Sequence, residues 1–267
     1  MFLEIGEILE NKYISDRYYL MKVKVKKSAE KSMAGQFFML KNKNEIMILR
    51  RPISLHNRDL KENTLEFYYE VKGKGTVEFS KMVPGEKIDL QGPLGTGFKT
   101  EMKDKTVVVI GGGMGIAPMK LLINELKKNN RVIFIAGGRN SGAVTILKNL
   151  DLEGVEVAIT TDDGSVGKKG NVVMELKEIL KSEKVDLIQT CGPHGMMEAI
   201  GKVAIEHGVE CEVSLEERMA CGVKACVGCS IKTLDGMKKV CHDGPVFDAK
   251  IIVDMDPVEN TGCSCGK

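Results

Sequence analysis

The stretch Thr106–Pro118, TVVVIGGGMGIAP, sets the fold class of the chain. It begins with a continuous apolar run, Val107–Ile110, and a glycine-rich loop follows at once. Such a run is typical of a strand that is buried on both faces of a parallel sheet. Residues 119–128 continue with the amphipathic periodicity of a helix. A strand, a glycine loop and a helix in this order let a diphosphate approach backbone amides at the helix N-terminus.

Strand-sized apolar runs alternate with helical patterns after this loop. We expect further strands at 132–135, 155–160, 185–190 and 209–213, and helices at 171–181 and 194–207. The alternation predicts a doubly wound α/β nucleotide-binding domain, which we place at residues 99–213.

Two short segments are candidates for nucleotide binding in this domain. Gly112, Gly113 and Gly115 belong to the glycine loop, and Cys191-Gly192-Pro193 follows a later strand. In open α/β sheets ligands bind at the carboxyl ends of the strands, where both segments are expected. Cys191 also fits a purely structural role, because cysteine is among the residues most often buried.

The local sequence does not decide between NAD and NADP. A dinucleotide site of this type usually has an acidic residue about 20 positions beyond the glycines, where it binds a ribose hydroxyl. Here the second strand ends instead in Ala136-Gly137-Gly138-Arg139. Arg139 is able to face a 2′-phosphate or simply the solvent, so both coenzymes remain open.

A cysteine-rich segment follows the α/β region, Glu217–Pro245, with the sequence ERMACGVKACVGCSIKTLDGMKKVCHDGP. Cys221, Cys226 and Cys229 form a C-x4-C-x2-C run, and Cys241 comes after eleven intervening residues. Plant-type ferredoxins use the spacing of the first three for a [2Fe-2S] cluster. We therefore predict a small [2Fe-2S] domain at residues 214–253 with these four cysteines as ligands.

Two alternatives exist for the four thiols. A zinc site of four cysteines also tolerates short C-x2-4-C spacings, although the four-residue first gap suits iron–sulfur ligation better. Disulfides are disfavoured, because the sequence begins without a secretory leader pattern and we expect a cytoplasmic protein with reduced thiols.

Residues 1–98 have the pattern of an antiparallel β-barrel. Alternating polar and apolar residues at 19–26 and 65–71 indicate short strands, and glycine and proline residues separate the runs. Arg50-Arg51-Pro52-Ile53-Ser54 could bind a pyrophosphate through a guanidinium group and a hydroxyl. Gly73-Lys74-Gly75-Thr76 could bind the other side of it at the start of a helix, expected at 76–82. Separately, a surface ion pair and a hairpin turn would explain the two motifs equally well.

Composition excludes several classes of function. The chain of 267 residues has 39 Lys plus Arg against 37 Asp plus Glu, a net charge of +2, which does not favour nucleic acid or an anionic membrane as partner. Its apolar runs are strand-sized and too short to span a bilayer. After an expected last strand at 250–253, we expect residues 254–267, with Cys263 and Cys265, to form a disordered tail.

The motifs RRPIS, GKGT, GGGMGIAP and CGP and the cysteine run occur in the order found in the ferredoxin-reductase superfamily. More narrowly, the chain resembles the electron-transfer subunits of the NAD-dependent, two-subunit (type B) dihydroorotate dehydrogenases over residues 1–253. The resemblance implies that FAD is held by Arg51, Pro52, Ile53, Ser54, Tyr68, Tyr69, Glu70, Gly75 and Thr76. It also implies NADH at the glycine loop and the Cys191–Pro193 turn, and the cluster at the four cysteines.

The same resemblance implies a partner. Electrons would pass between NADH and a separate FMN-containing subunit, in a heterotetramer, which oxidises dihydroorotate to orotate in pyrimidine biosynthesis. No catalytic acid or base is then required of this chain. A second group of similar chains serves NADH-dependent ferredoxin:NADP oxidoreductases and sulfide dehydrogenases, in which one ligand departs from cysteine. A zinc-stabilised nucleotide-binding module is the alternative of another class.

Overall fold

The computed structural model describes residues 1–42 and 48–252. The expected tail at 254–267, with Cys263 and Cys265, lies outside the described residues. Within them no helix has the length and apolar character needed to cross a membrane.

The N-terminal region is a seven-stranded antiparallel sheet with the order β4-β3-β7-β1-β2-β6-β5. Two short helices, α1 (Ser28–Lys31) and α2 (Lys74–Ser80), interrupt it. Its strands are β1 (Phe2–Ser15), β2 (Tyr18–Lys24), β3 (Phe37–Lys41), β4 (Arg51–Ser54), β5 (Asn57–Asp59), β6 (Thr64–Glu70) and β7 (Lys87–Leu94).

One continuous segment joins the two edges of this sheet. β4 pairs with β3, and β5, only three residues further on, pairs with β6. Between them the Leu55 amide donates to the carbonyl of Gln36, and the His56 amide donates to the carbonyl of Glu66. The segment therefore closes the sheet into the expected barrel. The helix expected at 76–82 exists, but it runs from Lys74 to Ser80.

The second sheet has the order β11-β10-β9-β8-β12-β13-β16, and only β16 (Val246–Asp248) is antiparallel to its neighbour. Every strand and helix expected here is present, with ends shifted by a few residues. The elements are β8 (Thr106–Gly112), α3 (Met119–Leu126), β9 (Arg131–Gly138), β10 (Glu156–Thr161), β11 (Lys168–Lys169), α4 (Val172–Ser182), β12 (Leu187–Cys191), α5 (His194–Glu206) and β13 (Glu210–Ser214), with 3-10 helices at Gly113–Ile116 and Ser141–Asn149.

The central strand β8 explains why both faces of the sheet need helices. Val107 and Val109 pack into the core that holds α3 and the barrel, whereas Val108 and Ile110 pack with α4 and α5. Successive side chains of a strand point to opposite faces, so a continuous apolar run has to be covered on both sides.

The cysteine segment forms a hairpin of β14 (Ser230–Thr233) and β15 (Gly236–Lys239), followed by the short helix α6 (Val240–Asp243). The chain then returns to the α/β sheet as β16 (Val246–Asp248), which pairs with β13. The last strand, expected at 250–253, is wrong over its described residues 250–252, because Ala249–Ile251 is a single 3-10 turn, which the Asp248 side chain caps by accepting from the Lys250 amide. Residue 253 lies outside the described residues.

Polar contacts fix helix α3 against the barrel. The carbonyl of His56 accepts a hydrogen bond from the Leu121 amide in the first turn of α3. Two half-buried ion pairs lie beside it, Lys120–Glu66 at 2.8 Å and Arg58–Glu125 at 2.7 Å. The barrel and the α/β domain are therefore held in one orientation, which positions the cavities between them.

Candidate cofactor sites

A cavity of about 820 Å³ opens at the carboxyl edge of the parallel sheet. It lies beside β8, where the strand order reverses, which is the usual ligand position in sheets of this type. The expected residues that line it are Gly112, Gly113, Gly115, Gly192 and Pro193. Residues at the ends of β9 and β10 line it as well.

Gly115 has to be glycine because the loop approaches the end of β12 closely. A Cβ at this position would lie 2.2 Å from the carbonyl oxygen of Cys191 and 2.6 Å from the amide nitrogen of Gly192. No Cβ atom tolerates such distances to backbone atoms. The loop and the Cys191–Pro193 turn are thereby brought together, as expected from their places in the sequence.

Cys191 itself does not line this cavity. Its side chain is buried in the core, and burial, with a smaller effect of the Glu216 carboxylate, raises the pKa of its thiol above the ordinary range. The expected turn is at the cavity, but the structure places this thiol behind it.

The barrel supplies part of the wall that the motifs did not indicate. Ser15, Asp16, Arg17 and Tyr18, at the hairpin between β1 and β2, line the cavity together with Lys72. No local motif distinguishes this hairpin from any other polar turn. Its role depends on how the barrel sits against the α/β domain.

A second cavity, of about 270 Å³, lies between the barrel, the glycine loop and the start of the cysteine segment. It brings together eight of the nine residues expected for FAD, namely Arg51, Pro52, Ile53, Ser54, Tyr68, Tyr69, Glu70 and Thr76. Gly75 is buried behind them. The other lining residues, which were not expected for FAD, are Phe37, Lys72, Met114, Ala117, Pro118, Met219, Pro245 and the run 214–217.

Aromatic side chains give this cavity an apolar wall. Tyr68 stacks on Tyr18 with ring centroids 5.9 Å apart and an interplanar angle of 22°. Burial raises the pKa of Tyr68 and of Tyr69, and the Tyr69 hydroxyl donates to Oδ1 of Asn11 at 3.0 Å. Flat, neutral rings of this kind suit a planar ligand such as an isoalloxazine.

The polar residues of the cavity are already oriented by neighbours. The Glu70 carboxylate forms ion pairs with Arg17 at 2.6 Å and with Lys72 at 2.7 Å. Thr76 Oγ1 accepts from the amides of Lys72 and Gly73 at 2.9 and 3.3 Å, and so caps helix α2. The Thr76 hydroxyl thus fixes the backbone of this turn at the wall of the cavity.

The two cavities are adjacent. Lys72, Met114 and Glu216 line both of them. Glu216 is exposed at the cavities, and desolvation by the surrounding protein, aided by the Glu70 carboxylate, raises its pKa against the opposing effect of Lys72. Ligands bound in the two cavities would therefore meet at these three residues.

The four cysteines of the third site lie close to one another as two interacting pairs. The Cys221 sulfur accepts from the amides of Val223 at 3.4 Å and Cys226 at 3.3 Å. Desolvation opposes ionisation of Cys221, but these amides and the Cys226 thiol outweigh it and lower the pKa to about 7. Burial, the Cys229 thiol and Cys221 raise the pKa of Cys241 to about 11.

These features fit a [2Fe-2S] cluster. All four donors are soft thiols, and amide N–H groups point at a sulfur, as they do around iron–sulfur clusters. Gly222 adopts a φ of +67°, which lets the backbone turn toward the sulfurs. Across residues 1–42 and 48–252, no three or more His, Cys, Asp or Glu side chains surround one point as ligands of a single ion would. The four cysteines lie instead as two pairs, and a two-iron cluster takes two sulfurs on each iron.

The cysteine segment is docked on the outer face of the barrel. Gln91 of β7 donates from Nε2 to the carbonyl of Cys221 at 3.0 Å. Beside it, Gly222 lies against Met39 of β3, so that a Cβ on the glycine would come within 2.8 Å of the Met39 side chain. The first cysteine is therefore held at the barrel that carries the flavin motifs.

Two family models match parts of this chain. The family model described as the iron-sulfur cluster binding domain of dihydroorotate dehydrogenase B matches residues 216–253. The model described as an oxidoreductase NAD-binding domain matches residues 109–202.

Two curated relatives match nearly the whole chain. The dihydroorotate dehydrogenase B (NAD(+)) electron transfer subunit of Caldanaerobacter subterraneus subsp. tengcongensis is 35% identical, over 93% of this chain and 97% of that protein. The subunit of the same name from Clostridium perfringens is 37% identical, over 91% of this chain and 95% of that protein.

Solved structures share the fold. The NADH-dependent reduced ferredoxin-NADP oxidoreductase, known from work on flavin-based electron bifurcation, superposes with a TM-score of 0.82 at 26% identity, covering 92% of this chain and 88% of that one. A ferredoxin NADP+ reductase from Neisseria gonorrhoeae with bound FAD and NADP gives a TM-score of 0.65 at 19% identity, over 77% of this chain and 92% of that one.

Proposed function

The chain belongs to the family of dihydroorotate dehydrogenase B electron-transfer subunits, and from that membership we propose which residues bind each cofactor. The protein passes electrons between NADH and a catalytic partner subunit through FAD and a [2Fe-2S] cluster. The observation that carries the proposal is the adjacency of the two cavities, which share Lys72, Met114 and Glu216.

We assign FAD to the 270 Å³ cavity and the NADH nicotinamide to the edge of the larger cavity nearest to it. Tyr68 and Phe37 would supply the apolar surface for the ring system, and Arg51 a charge-assisted contact to the diphosphate. The glycine loop would receive the NADH diphosphate on its backbone amides. FAD, when bound, takes an electron pair as hydride from NADH and exchanges single electrons with a cluster.

We assign the cluster to Cys221, Cys226, Cys229 and Cys241. The amide donors to Cys221 would stabilise the negative charge of its thiolate, and the Gln91 contact holds this end of the segment on the barrel. For the domains we propose the limits 1–98, 99–213 and 214–253. A protein that must keep these thiols reduced is suited to the cytoplasm, where we place it.

The partner that we propose is an FMN-containing dihydroorotate dehydrogenase chain, assembled with this one as a heterotetramer. Its docking surface would adjoin the cysteine segment. At one level of the sheet Met39 of β3 pairs with Gln91 of β7, and Gln91 pairs with Leu3 of β1, so the three side chains share a face.

The cysteine segment covers the first two of these side chains and leaves the third exposed. Met39 and Gln91 are 0% and 7% exposed, whereas Leu3 is 69% exposed and its neighbour Ile5 54%. Val223 and Val227, which flank the cysteines, are exposed as well. Apolar side chains that remain exposed beside an electron-transfer centre suit a partner surface.

A stopped-flow comparison tests the proposed electron path. In Cys229→Ser, NADH should still reduce FAD at the normal rate, because none of the four cysteines lines the flavin cavity. Reduction of the partner's FMN should stop, since no other group of the described chain is a candidate for carrying single electrons. Partner reduction at the unaltered rate would show that the cluster does not lie on the path.

A second assay tests the other candidate function, in which the chain serves a different partner. The likeness to the NADH-dependent reduced ferredoxin-NADP oxidoreductase, with a TM-score of 0.82, leaves open a partner other than a dihydroorotate dehydrogenase. Four cysteine ligands favour the first partner, because one ligand departs from cysteine in the second group. Dihydroorotate-dependent reduction of NAD+ by the reconstituted complex would decide between them.

A further inference from the structure

We propose that Asp162 selects NADH over NADPH by accepting hydrogen bonds from the ribose hydroxyls on the adenine side of the coenzyme. The inference rests on the proposed placement of the dinucleotide in the 820 Å³ cavity, which Asp162 lines. The acidic residue that usually follows the second strand, β9, is absent here, and we assign its role to a residue after the third strand, β10.

The register between β9 and β10 supports this role for Asp162. Gly138 at the end of β9 pairs with Thr161 at the end of β10, so the next residues, Arg139 and Asp162, stand at one level. The ladder continues beyond the strands, because the Asp162 amide donates to the carbonyl of Gly138 at 3.1 Å and the Asp163 amide to that of Arg139 at 3.3 Å. Asp162 therefore lies one strand across from the position where an acidic residue usually binds the ribose.

The loop that carries Asp162 is held in place. Ser165 Oγ accepts from the Ser141 amide at 2.8 Å, which ties this loop to the one after β9. Asp163 accepts from the Ser165 amide at 2.9 Å and so closes the turn. A fixed backbone gives the Asp162 carboxylate a defined place at the cavity, as specific recognition requires.

The charges at this edge explain how a choice between coenzymes arises. Within the described residues, the side chains of Asp162 and Arg139 have no hydrogen-bond or ion-pair partner, and both line the cavity. A carboxylate only accepts hydrogen bonds, so it pairs with a 2′-hydroxyl and repels a 2′-phosphate. Arg139 alone would favour the 2′-phosphate. Asp162 opposes that preference.

The test is calorimetric titration of the FAD-loaded, cluster-containing protein with NAD+ and with NADP+, so that no hydride is transferred. Asp162→Asn should weaken the binding of NAD+ and strengthen the binding of NADP+. The ratio of the two dissociation constants should shift about 10- to 100-fold. Adding Arg139→Ala should abolish the gain in NADP+ affinity. Asp162→Glu, which keeps the charge, should retain the preference for NAD+ and guards against a variant that is merely misfolded.

Asp163→Asn is the matched control. Asp163 is the neighbouring acidic residue and does not line the cavity, and an asparagine there can still accept from the Ser165 amide. The ratio of the NAD+ and NADP+ dissociation constants should therefore equal that of the wild type. An unchanged ratio in Asp162→Asn would overturn the inference. Gly115→Ala tests the premise that the dinucleotide binds in this cavity. If the variant keeps the wild-type affinity for NAD+, the coenzyme binds elsewhere, and both the cavity assignment and the role of Asp162 are wrong.

Discussion

Among single residues, the cysteines of the third site differ in their surroundings, and this decides which substitution is informative. Cys221 is half-exposed and accepts amide hydrogen bonds, whereas Cys229 and Cys241 are buried and interact with each other. A buried member of the set has no solvent molecule to replace its sulfur as a ligand. Cys229 is therefore the sharper position to change.

Cys229→Ser should remove the cluster and leave FAD bound, because serine is a poor substitute for a soft thiolate and the flavin cavity contains no cysteine. Iron and sulfide analysis together with the flavin spectrum measures both. Cys211→Ala is the control, since Cys211 is an equally buried thiol of the α/β core outside the cysteine segment. Wild-type iron content in Cys229→Ser would contradict the ligand assignment.

His56 links the barrel to helix α3 through a buried imidazole. Nδ1 is 2.6 Å from the carbonyl oxygen of Ala117, whereas Nε2 is buried and has no partner within the part of the chain that the structure describes. Burial, reinforced by the positive charge of Lys120, lowers the pKa of His56 from 6.5 to about 4. The folded protein therefore holds this imidazole neutral.

This pKa predicts a loss of stability in mild acid. Between pH 6.5 and 4 the unfolded chain binds a proton that the folded chain does not, so the free energy of unfolding falls as the pH falls. Above pH 6.5 His56 is neutral in both states and does not lower the free energy of unfolding. Below pH 4 the free energy of unfolding should be lower by about 3 kcal/mol because of this residue. Urea unfolding of wild type and His56→Asn across this range measures it. Parallel pH profiles would contradict the prediction.

The glycine loop after β8 depends on one element lying unusually close to another. Gly115 packs on the backbone at the end of β12, and Gly113 adopts a φ of +54° with open space around it. Only the first position is limited by contact with a neighbouring strand. The loop is thus shaped by tertiary packing as well as by backbone conformation.

Gly115→Ala should lower the free energy of unfolding by about 1–3 kcal/mol and weaken coenzyme binding, because the new methyl group meets backbone atoms that cannot move away cheaply. Gly195→Ala is the matched control in helix α5, where nothing lies within 4 Å of the added Cβ. It should be neutral or slightly stabilising, since alanine favours the helix. Denaturant unfolding and NAD+ titration of both variants check the contrast.

At the scale of the whole molecule, electrons must leave through a surface that the isolated chain exposes. The row Met39–Gln91–Leu3 ends in exposed apolar side chains next to the cysteine segment. A charged residue in this row should prevent docking without disturbing the interior, because Leu3 makes little contact with the core.

Leu3→Glu should raise the dissociation constant for the catalytic partner subunit at least about tenfold, as expected for burying an unpaired charge at an interface. Reduction of small dyes by NADH should be unchanged. Leu60→Glu is the control, because Leu60 is 53% exposed at the β5–β6 turn of the same barrel. Sedimentation of the complex measures the affinity; equal affinity in both variants would place the partner elsewhere.

The sequence by itself determined the order of the barrel, the α/β domain and the cysteine segment, and the glycine and cysteine motifs within them. These features depend on local periodicity and spacing, which side chains of neighbouring residues decide. Eight of the nine residues that we expected for FAD from the sequence line a single cavity. The sequence misjudged the strand expected to begin at Lys250, because the 3-10 turn found there depends on a hydrogen bond from the Lys250 amide to the Asp248 side chain.

The tertiary structure alone decided which distant residues complete each site. The Ser15–Tyr18 hairpin reaches the nucleotide cavity, residues 214–217 reach the flavin cavity, and Gln91 bonds to Cys221, 130 positions away. Asp162 replaces the acid that the second strand lacks only because β10 pairs with β9 in one register. Such contacts are set by how two domains and neighbouring strands pack, and no pattern of residues close in sequence encodes them.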